Sequence, residues 1–315
     1  MKIKTRIFIV IVVVIILIVA FTASYIKFRS DLQAGVTKIH DLQSQLYASQ
    51  YGDVEYVLAG TGPTVLISHG VIGGIDQGMG LADLYLGQGY RFLYISRFGY
   101  LKSAMPVEPS AKLQAKVYNE LLNFLQIDSV FIMGNSAGGP AALHFALDYP
   151  AKCSGLILVS SAVPGNTKAL PPQVFMKAVF GSDYLYWCTV KFFGASMMKM
   201  FIPESILKTL APAEKKQVMD TVFLSGLPIT QRTKGILFDT YISNPSIDDD
   251  IPFEQIIIPT LIIHAIDDPA PPIAGAGLLA AKIPRCELVR FETGGHLILH
   301  HEDEIKRIIS DFVRQ

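Results

Sequence analysis

The strongest pattern in the chain is an unbroken apolar run from Ile7 to Phe21, carried by Thr22–Ser24 into Tyr25 and Ile26. Lys2, Lys4 and Arg6 precede it, and Lys27 and Arg29 close it. About 20 residues at about 1.5 Å each span the roughly 30 Å hydrocarbon layer of a bilayer. Residues 7–26 are therefore expected to form one transmembrane helix within an N-terminal anchor, residues 1–30. Two other readings compete. A cleaved signal peptide wants a shorter apolar core and small residues at its cleavage site, for which Thr22-Ala23-Ser24 is only passable. A buried helix is the third. Basic residues ahead of the run favour a cytoplasmic amino terminus, with the rest of the chain on the extracytoplasmic side; Lys27 and Arg29 weaken that bias.

Beyond the run the period changes. Leu32, Val36, Ile39, Leu42 and Leu46 recur at helical spacing in a polar background, which predicts a helical stalk over residues 31–48. Short Val- and Ile-rich runs then alternate with helical patterns. The predicted strands are Val54–Leu58, Thr64–Ser68, Arg91–Ser96, Ser129–Met133, Gly155–Ser160, Thr260–Ala265 and Glu287–Phe291. Predicted helices include Lys112–Leu125, Ala137–Asp148 and Glu302–Val313. Continuously apolar strands alternating with helices predict an α/β class, with a mostly parallel central sheet covered by helices on both faces. The alternation stops over residues 164–251, where the pattern is helical, Pro-punctuated and rich in Met and aromatic residues. This stretch is read as a helical lid inserted into a sheet domain formed by residues 49–163 and 252–315.

Composition refines this picture. The chain has 315 residues, half of them hydrophobic, with 27 basic and 27 acidic side chains. That balance excludes disorder and a strongly basic nucleic-acid binder. The mean hydropathy of +0.38 is high for a soluble protein. The neutrality is an average: residues 1–30 hold five basic side chains and no acidic one, which leaves 22 basic and 27 acidic residues, a net of −5, in the body. Cys153, Cys188 and Cys286 are widely spaced and odd in number, which suits neither a disulfide framework nor a zinc site. No metal or cofactor is implied, and the oligomeric state is left open.

The candidate chemistry begins at Gly134-Asn135-Ser136-Ala137-Gly138, which follows an apolar strand and opens a helix. A serine at so sharp a turn projects its hydroxyl beyond the sheet, and the helix amino terminus behind it favours a developing oxyanion. A phosphate loop is excluded because no Gly-Lys-Ser/Thr follows. Serine needs a base. Of the seven histidines, His296 stands in Gly294-Gly295-His296, directly after the last strand and before the last helix. Reactive groups gather at such strand ends in open α/β sheets. His300 and His301 read as surface residues, His144 as part of a helix and His40 as part of the stalk. An imidazole base wants an orienting carboxylate, and Asp267 and Asp268 follow the strand Thr260–Ala265. Chain order Ser, Asp, His is the order this kind of sheet uses; spacing alone leaves the two aspartates open.

As a set, these residues resemble the α/β-hydrolase fold superfamily in its lidded ester-hydrolase branch. The resemblance covers about residues 50–313 and rests on His69-Gly70-Val71-Ile72-Gly73-Gly74, Arg97-Phe98-Gly99-Tyr100, the Ser136 motif, Asp267-Asp268-Pro269 and Gly294-Gly295-His296. It implies Asp268 as the acid, counted from Ala265, which stands where a Gly is usual, with Pro272 four residues beyond. It implies the backbone N–H groups of Val71 and Ala137 as the oxyanion donors. It leaves His69 as a structural hydrogen-bonding residue and the Arg97 loop without chemistry. The expected activity is a membrane-anchored serine hydrolase that cleaves a small-molecule carboxylic ester with an apolar moiety, through an acyl-enzyme. The same constellation could cleave C–C bonds, amides or thioesters, or transfer acyl groups, and a catalytically silent binding module is the reading from another class. Ser at position 136 disfavours an Asp-nucleophile epoxide or haloalkane hydrolase.

Overall fold

The computed structural model describes residues 2–165, 169–247 and 251–314. Residues 166–168 and 248–250, inside the stretch read as a lid, lie outside the described residues. Eight strands form one sheet: β1 (Gln45–Ser49), β2 (Gly52–Gly60), β3 (Thr64–Ser68), β4 (Arg91–Ile95), β5 (Val130–Asn135), β6 (Cys153–Val159), β7 (Thr260–Ala265) and β8 (Cys286–Phe291). Their order is β1-β2-β4-β3-β5-β6-β7-β8. β2 pairs antiparallel to both β1 and β4, and every other pairing is parallel.

The helices are α1 (Lys2–Asp41), α2 (Ile75–Tyr85), α3 (Ala111–Phe124), α4 (Gly139–Asp148), α5 (Gln173–Phe180), α6 (Asp183–Met198), α7 (Glu204–Thr209), α8 (Pro212–Val218), α9 (Thr233–Phe238), α10 (Ile273–Lys282) and α11 (Glu302–Val313). The central strands are buried on both faces, which is why they read as continuous apolar runs rather than alternating ones. One face sends Leu66, Ile132, Leu156 and Ile262 into a core shared with α3, α4 and α10. The other sends Val65, Ile67, Met133 and Ile263 into a core shared with α2 and α11. Parallel strands need crossovers, and these helices supply them, so the carboxyl ends of β3, β5, β6, β7 and β8 all open on one edge. Between β6 and β7 the chain leaves the sheet and forms α5 to α9 with their own apolar core.

The amino-terminal region differs from the sequence reading in two ways. Anchor and stalk are one unbroken helix, α1, of 40 residues. Its apolar part is exposed, with a mean hydropathy of 3.3, and is long and apolar enough to cross a membrane. Residues 45–48, placed in the stalk by helical spacing, belong instead to β1, whose short pairing with β2 is set by the turn at Gln50–Tyr51. The carboxyl half of α1 packs against the insertion. Phe28 is buried in the core of the insertion, its ring 5.1 Å from Tyr184 and 5.9 Å from Trp187. The Trp187 indole N–H donates to Asp31 at 2.9 Å, and Lys191 lies 3.6 Å from the same carboxylate. Further along α1, a Cβ built on Gly35 would stand 2.4 Å from the Leu227 carbonyl oxygen, so only glycine allows this approach.

The contact at Gly35 yields a prediction. Gly35→Val should push α1 away from the insertion and lower stability by about 1–3 kcal/mol, the usual cost of overpacking. Thermal unfolding of the detergent-solubilised chain checks it, and an unchanged midpoint would mean that α1 does not dock there.

Candidate active site

Four strand ends converge on the edge beside the insertion. β5 runs out at Asn135 and turns sharply, and Ser136 adopts φ +49, a conformation unfavourable for a residue with a side chain. The turn closes because its neighbours lack side chains: a Cβ on Gly138 would stand 1.9 Å from the Ser68 carbonyl oxygen. The tight turn lifts the Ser136 hydroxyl to the surface of the crevice, where the residue is half-buried. Ala137, next in the short turn Ser136–Gly138 before α4, carries one of the helical start's N–H groups that lack an intrahelical acceptor.

His296 follows β8 on a loop with positive φ at Gly294 (+131) and Gly295 (+62). A Cβ on Gly294 would meet the Ile298 backbone at 2.8 Å. The ring is 5% exposed, with Nε2 2.9 Å from Ser136 Oγ and Nδ1 2.8 Å from Asp268 Oδ2. The Nδ1 proton donated to that carboxylate leaves Nε2 as the acceptor for the serine hydroxyl. The Asp268 side chain is fully buried; its other oxygen accepts the Ala270 N–H at 2.7 Å. Asp267 points elsewhere and accepts the Gly295 N–H at 2.8 Å, which braces the loop that holds His296. The structure thus brings together Ser136, His296 and Asp268, and separates Asp267 from the imidazole.

The loop after β3 passes close to the serine. A Cβ on Gly70 would lie 3.3 Å from Ser136 Cβ. Gln77 holds this loop from α2: its carbonyl accepts the Gly70 N–H at 2.7 Å and its amide donates to the Val71 carbonyl at 3.2 Å. His69 is fully buried. Its Nδ1 donates to the Gly70 carbonyl at 2.8 Å and its Nε2 accepts the Arg97 N–H at 3.0 Å. Burial, with the Arg97 charge beside it, holds this imidazole neutral, well below its ordinary value of 6.5. Burial also lowers the pKa of His264, which donates to the Pro271 carbonyl at 3.1 Å behind Asp268, and that of His144 in α4. His40 and His300 are exposed, and His301 is half-buried with its ring 4.3 Å from Phe291.

The insertion reaches the site directly. The His296 backbone N–H donates to the Phe201 carbonyl at 2.7 Å, and the Phe201 ring lies 5.4 Å from the imidazole. Two buried arginines tie the insertion to the loops below it. Arg97 makes a two-point pair with Asp239, which also accepts the Tyr100 hydroxyl at 2.5 Å. Burial works against the Arg97 charge, but the Asp239 carboxylate outweighs it and holds the guanidinium above its ordinary pKa. Arg232 pairs with both oxygens of Asp76 at 2.9 Å. Sequence reasoning missed Asp76, Arg232, Asp239 and Gln77. Asp239 and Asp76 stand 142 and 156 residues from their partners, and no local signal links them.

A family model described as the alpha/beta hydrolase fold matches residues 63–303. The chain belongs to this family. Within the alpha/beta-hydrolase family it is 28% identical to a 2-hydroxy-6-oxononadienedioate/2-hydroxy-6-oxononatrienedioate hydrolase of Dechloromonas aromatica, over 87% of this chain and 92% of that one. It is 34% identical to an uncharacterized hydrolase of Bacillus subtilis, but over only 35% of this chain and 38% of that protein. Among solved structures, an alpha/beta hydrolase fold protein from Nakamurella multipartita superposes with a TM-score of 0.68 and 21% identity, covering 86% of this chain and 99% of that one. This alpha/beta hydrolase is accordingly a hydrolytic enzyme in class.

The three depressed histidines set a pH dependence. Each is neutral when folded and takes up a proton more readily when unfolded, so their contribution is complete above the ordinary imidazole value and is lost as pH falls below it. Thermal midpoints should be level above about pH 7 and fall steadily toward about pH 5. His144→Gln should make that fall shallower. A midpoint that rises on acidification would contradict the assignment.

Proposed function

We propose that this hydrolase is a membrane-anchored serine hydrolase that cleaves carboxylic esters with an apolar moiety. The observation that carries the reading is the unbroken relay from Asp268 through His296 to Ser136, at 2.8 and 2.9 Å. Ser136 Oγ attacks the acyl carbon while His296 Nε2 takes its proton. Asp268 stabilises the imidazolium, and the Val71 and Ala137 N–H groups receive the oxyanion. His296 then returns the proton to the leaving alcohol. Water, activated by the same imidazole, hydrolyses the acyl-enzyme and frees Ser136. Each oxyanion donor is worth roughly 3 kcal/mol in the transition state.

The helical insertion acts as the lid over this edge. Its solvent side carries Val174, Phe175, Leu185, Phe192, Phe193 and Met200, all exposed. It is also docked on the anchor: the Tyr184 ring lies 6.2 Å from Phe21 and 5.9 Å from Tyr25, at the end of the apolar run. Both features favour an apolar substrate drawn from the bilayer that holds α1. With residues 7–26 spanning the membrane, the catalytic domain lies on the extracytoplasmic side.

A second reading is hydrolysis of a dienedioate-type substrate, as the name of the Dechloromonas relative states for that protein. A dianionic substrate wants free cations near the oxyanion loop. Arg97 and Arg232, which border that loop, are buried and committed to Asp239 and Asp76, which favours the ester.

A series of nitrophenyl esters of increasing chain length tests the reading. Turnover should rise from acetate to medium or longer chains, and Ser136→Ala should lower it by about 10⁴-fold or more. Activity confined to acetate, or kept in full by Ser136→Ala, would sink it. Carbonate extraction tests the anchor: the intact chain should stay with membranes, and release of a shortened chain would refute it.

A further inference from the structure

The loop between β3 and α2 passes the nucleophile with an unfavourable backbone. Ile72 has φ +64, where a β-branched residue is rare because its Cβ crowds the chain. Gly73 and Gly74 follow and add freedom rather than restraint. What opposes relaxation comes from the helical insertion. Arg232, just before α9, is fully buried, and one guanidinium nitrogen donates to the Ile72 carbonyl at 3.3 Å and to the Gly73 carbonyl at 2.5 Å. Its pair with Asp76, in the first turn of α2, fixes where the fork points. The Ile72 side chain packs in the core of the insertion, so close to Gly226 that a Cβ there would stand 2.5 Å from it. On the other flank, His69 and Gln77 grip the Gly70 carbonyl, the Gly70 N–H and the Val71 carbonyl. The peptide that carries the Val71 N–H is thus fixed from the core on one side and from the insertion on the other.

We propose that Arg232 is a positioning residue for the oxyanion hole: from the insertion it holds the strained Ile72 turn and thereby aims the Val71 N–H. The inference rests on the serine-hydrolase reading above and deepens it. It makes the insertion part of the machinery for the oxyanion as well as a cover. The rival role is that of a strut, in which the Arg232–Asp76 pair joins insertion to core and leaves the chemistry untouched.

The test is Arg232→Met combined with Asp76→Leu. Removing both partners avoids an orphaned buried charge, a change that cores often accept without loss of stability. The double variant should keep the wild-type melting temperature within a few degrees and its KM within about twofold, while kcat for the best ester falls roughly 10- to 100-fold, near the loss of one oxyanion donor. Adding Ile72→Gly should recover at least severalfold of that kcat, because glycine adopts φ +64 without strain. A folded double variant with wild-type kcat, or one that Ile72→Gly does not rescue, overturns the proposal. If the double variant does not fold, Arg232→Met with Asp76→Asn serves, since it removes the donor to both carbonyls, leaves no unpaired charge and keeps a near-isostere in the first turn of α2; an unchanged kcat there overturns it equally. A wild type that turns over no ester contradicts the underlying reading, and is seen before any variant is made. An active wild type with an indifferent Arg232 contradicts this inference alone.

Discussion

The site depends on a backbone constraint at Ser136. A left-handed residue between a parallel strand and a helix is unfavourable in isolation, and it persists only where the surroundings over-determine it. Here they do. Gly134 and Gly138 let β5, α4 and the β3 carbonyls approach to distances that any side chain would block. The Ser136 carbonyl is held by the Ala162 N–H at 3.0 Å. Once the turn is fixed, the hydroxyl, the amino end of the following helix and the ends of β7 and β8 all face one crevice. His296 and Asp268 then need only short loops to meet it.

A second constraint is layered on the first. The insertion does not rest loosely on the sheet. Arg97–Asp239 and Arg232–Asp76 are buried, two-point pairs that cross between insertion and core, and the Phe201 carbonyl bonds the backbone of His296 itself. Breaking one partner of such a pair strands a charge in a low-dielectric interior, at a cost of about 3–5 kcal/mol. These contacts restrict any opening to segments that do not carry them. The exposed aromatic residues of α6 lie outside this set. The insertion is tied on its far side to α1, so α1, the insertion and the loops beside Ser136 form one mechanical chain from the apolar run to the crevice.

Much of this was legible in the residues. The strand pattern carried the sheet because parallel strands buried on both faces must be apolar throughout. Ser136 and His296 stood out because a hydroxyl and an imidazole on glycine-marked turns at strand ends, in a set order, suit one relay, and an aspartate pair marked the end of β7; spacing left Asp267 and Asp268 open, and only the family resemblance singled out Asp268. What stayed hidden has a common cause. The partners of Arg97 and Arg232 lie far along the chain, and pairing at that range leaves no period or motif. β1 was lost in the stalk because Leu42 and Leu46 extend a helical spacing that α1 abandons after Asp41. The docking of α1 was equally invisible, since Phe28 read as the flank of the apolar run, and Asp31 and Gly35 as part of an ordinary polar helix, until the insertion packs against them.

The central claim is that Ser136, activated by His296, is the attacking group. The most direct measurement is to treat the full chain with a fluorophosphonate and map the adduct by peptide mass. The account predicts a single phosphonylated peptide containing Ser136, formed far more slowly in His296→Ala and absent in Ser136→Ala. Labelling at another residue, or none in a chain that hydrolyses esters, would contradict it.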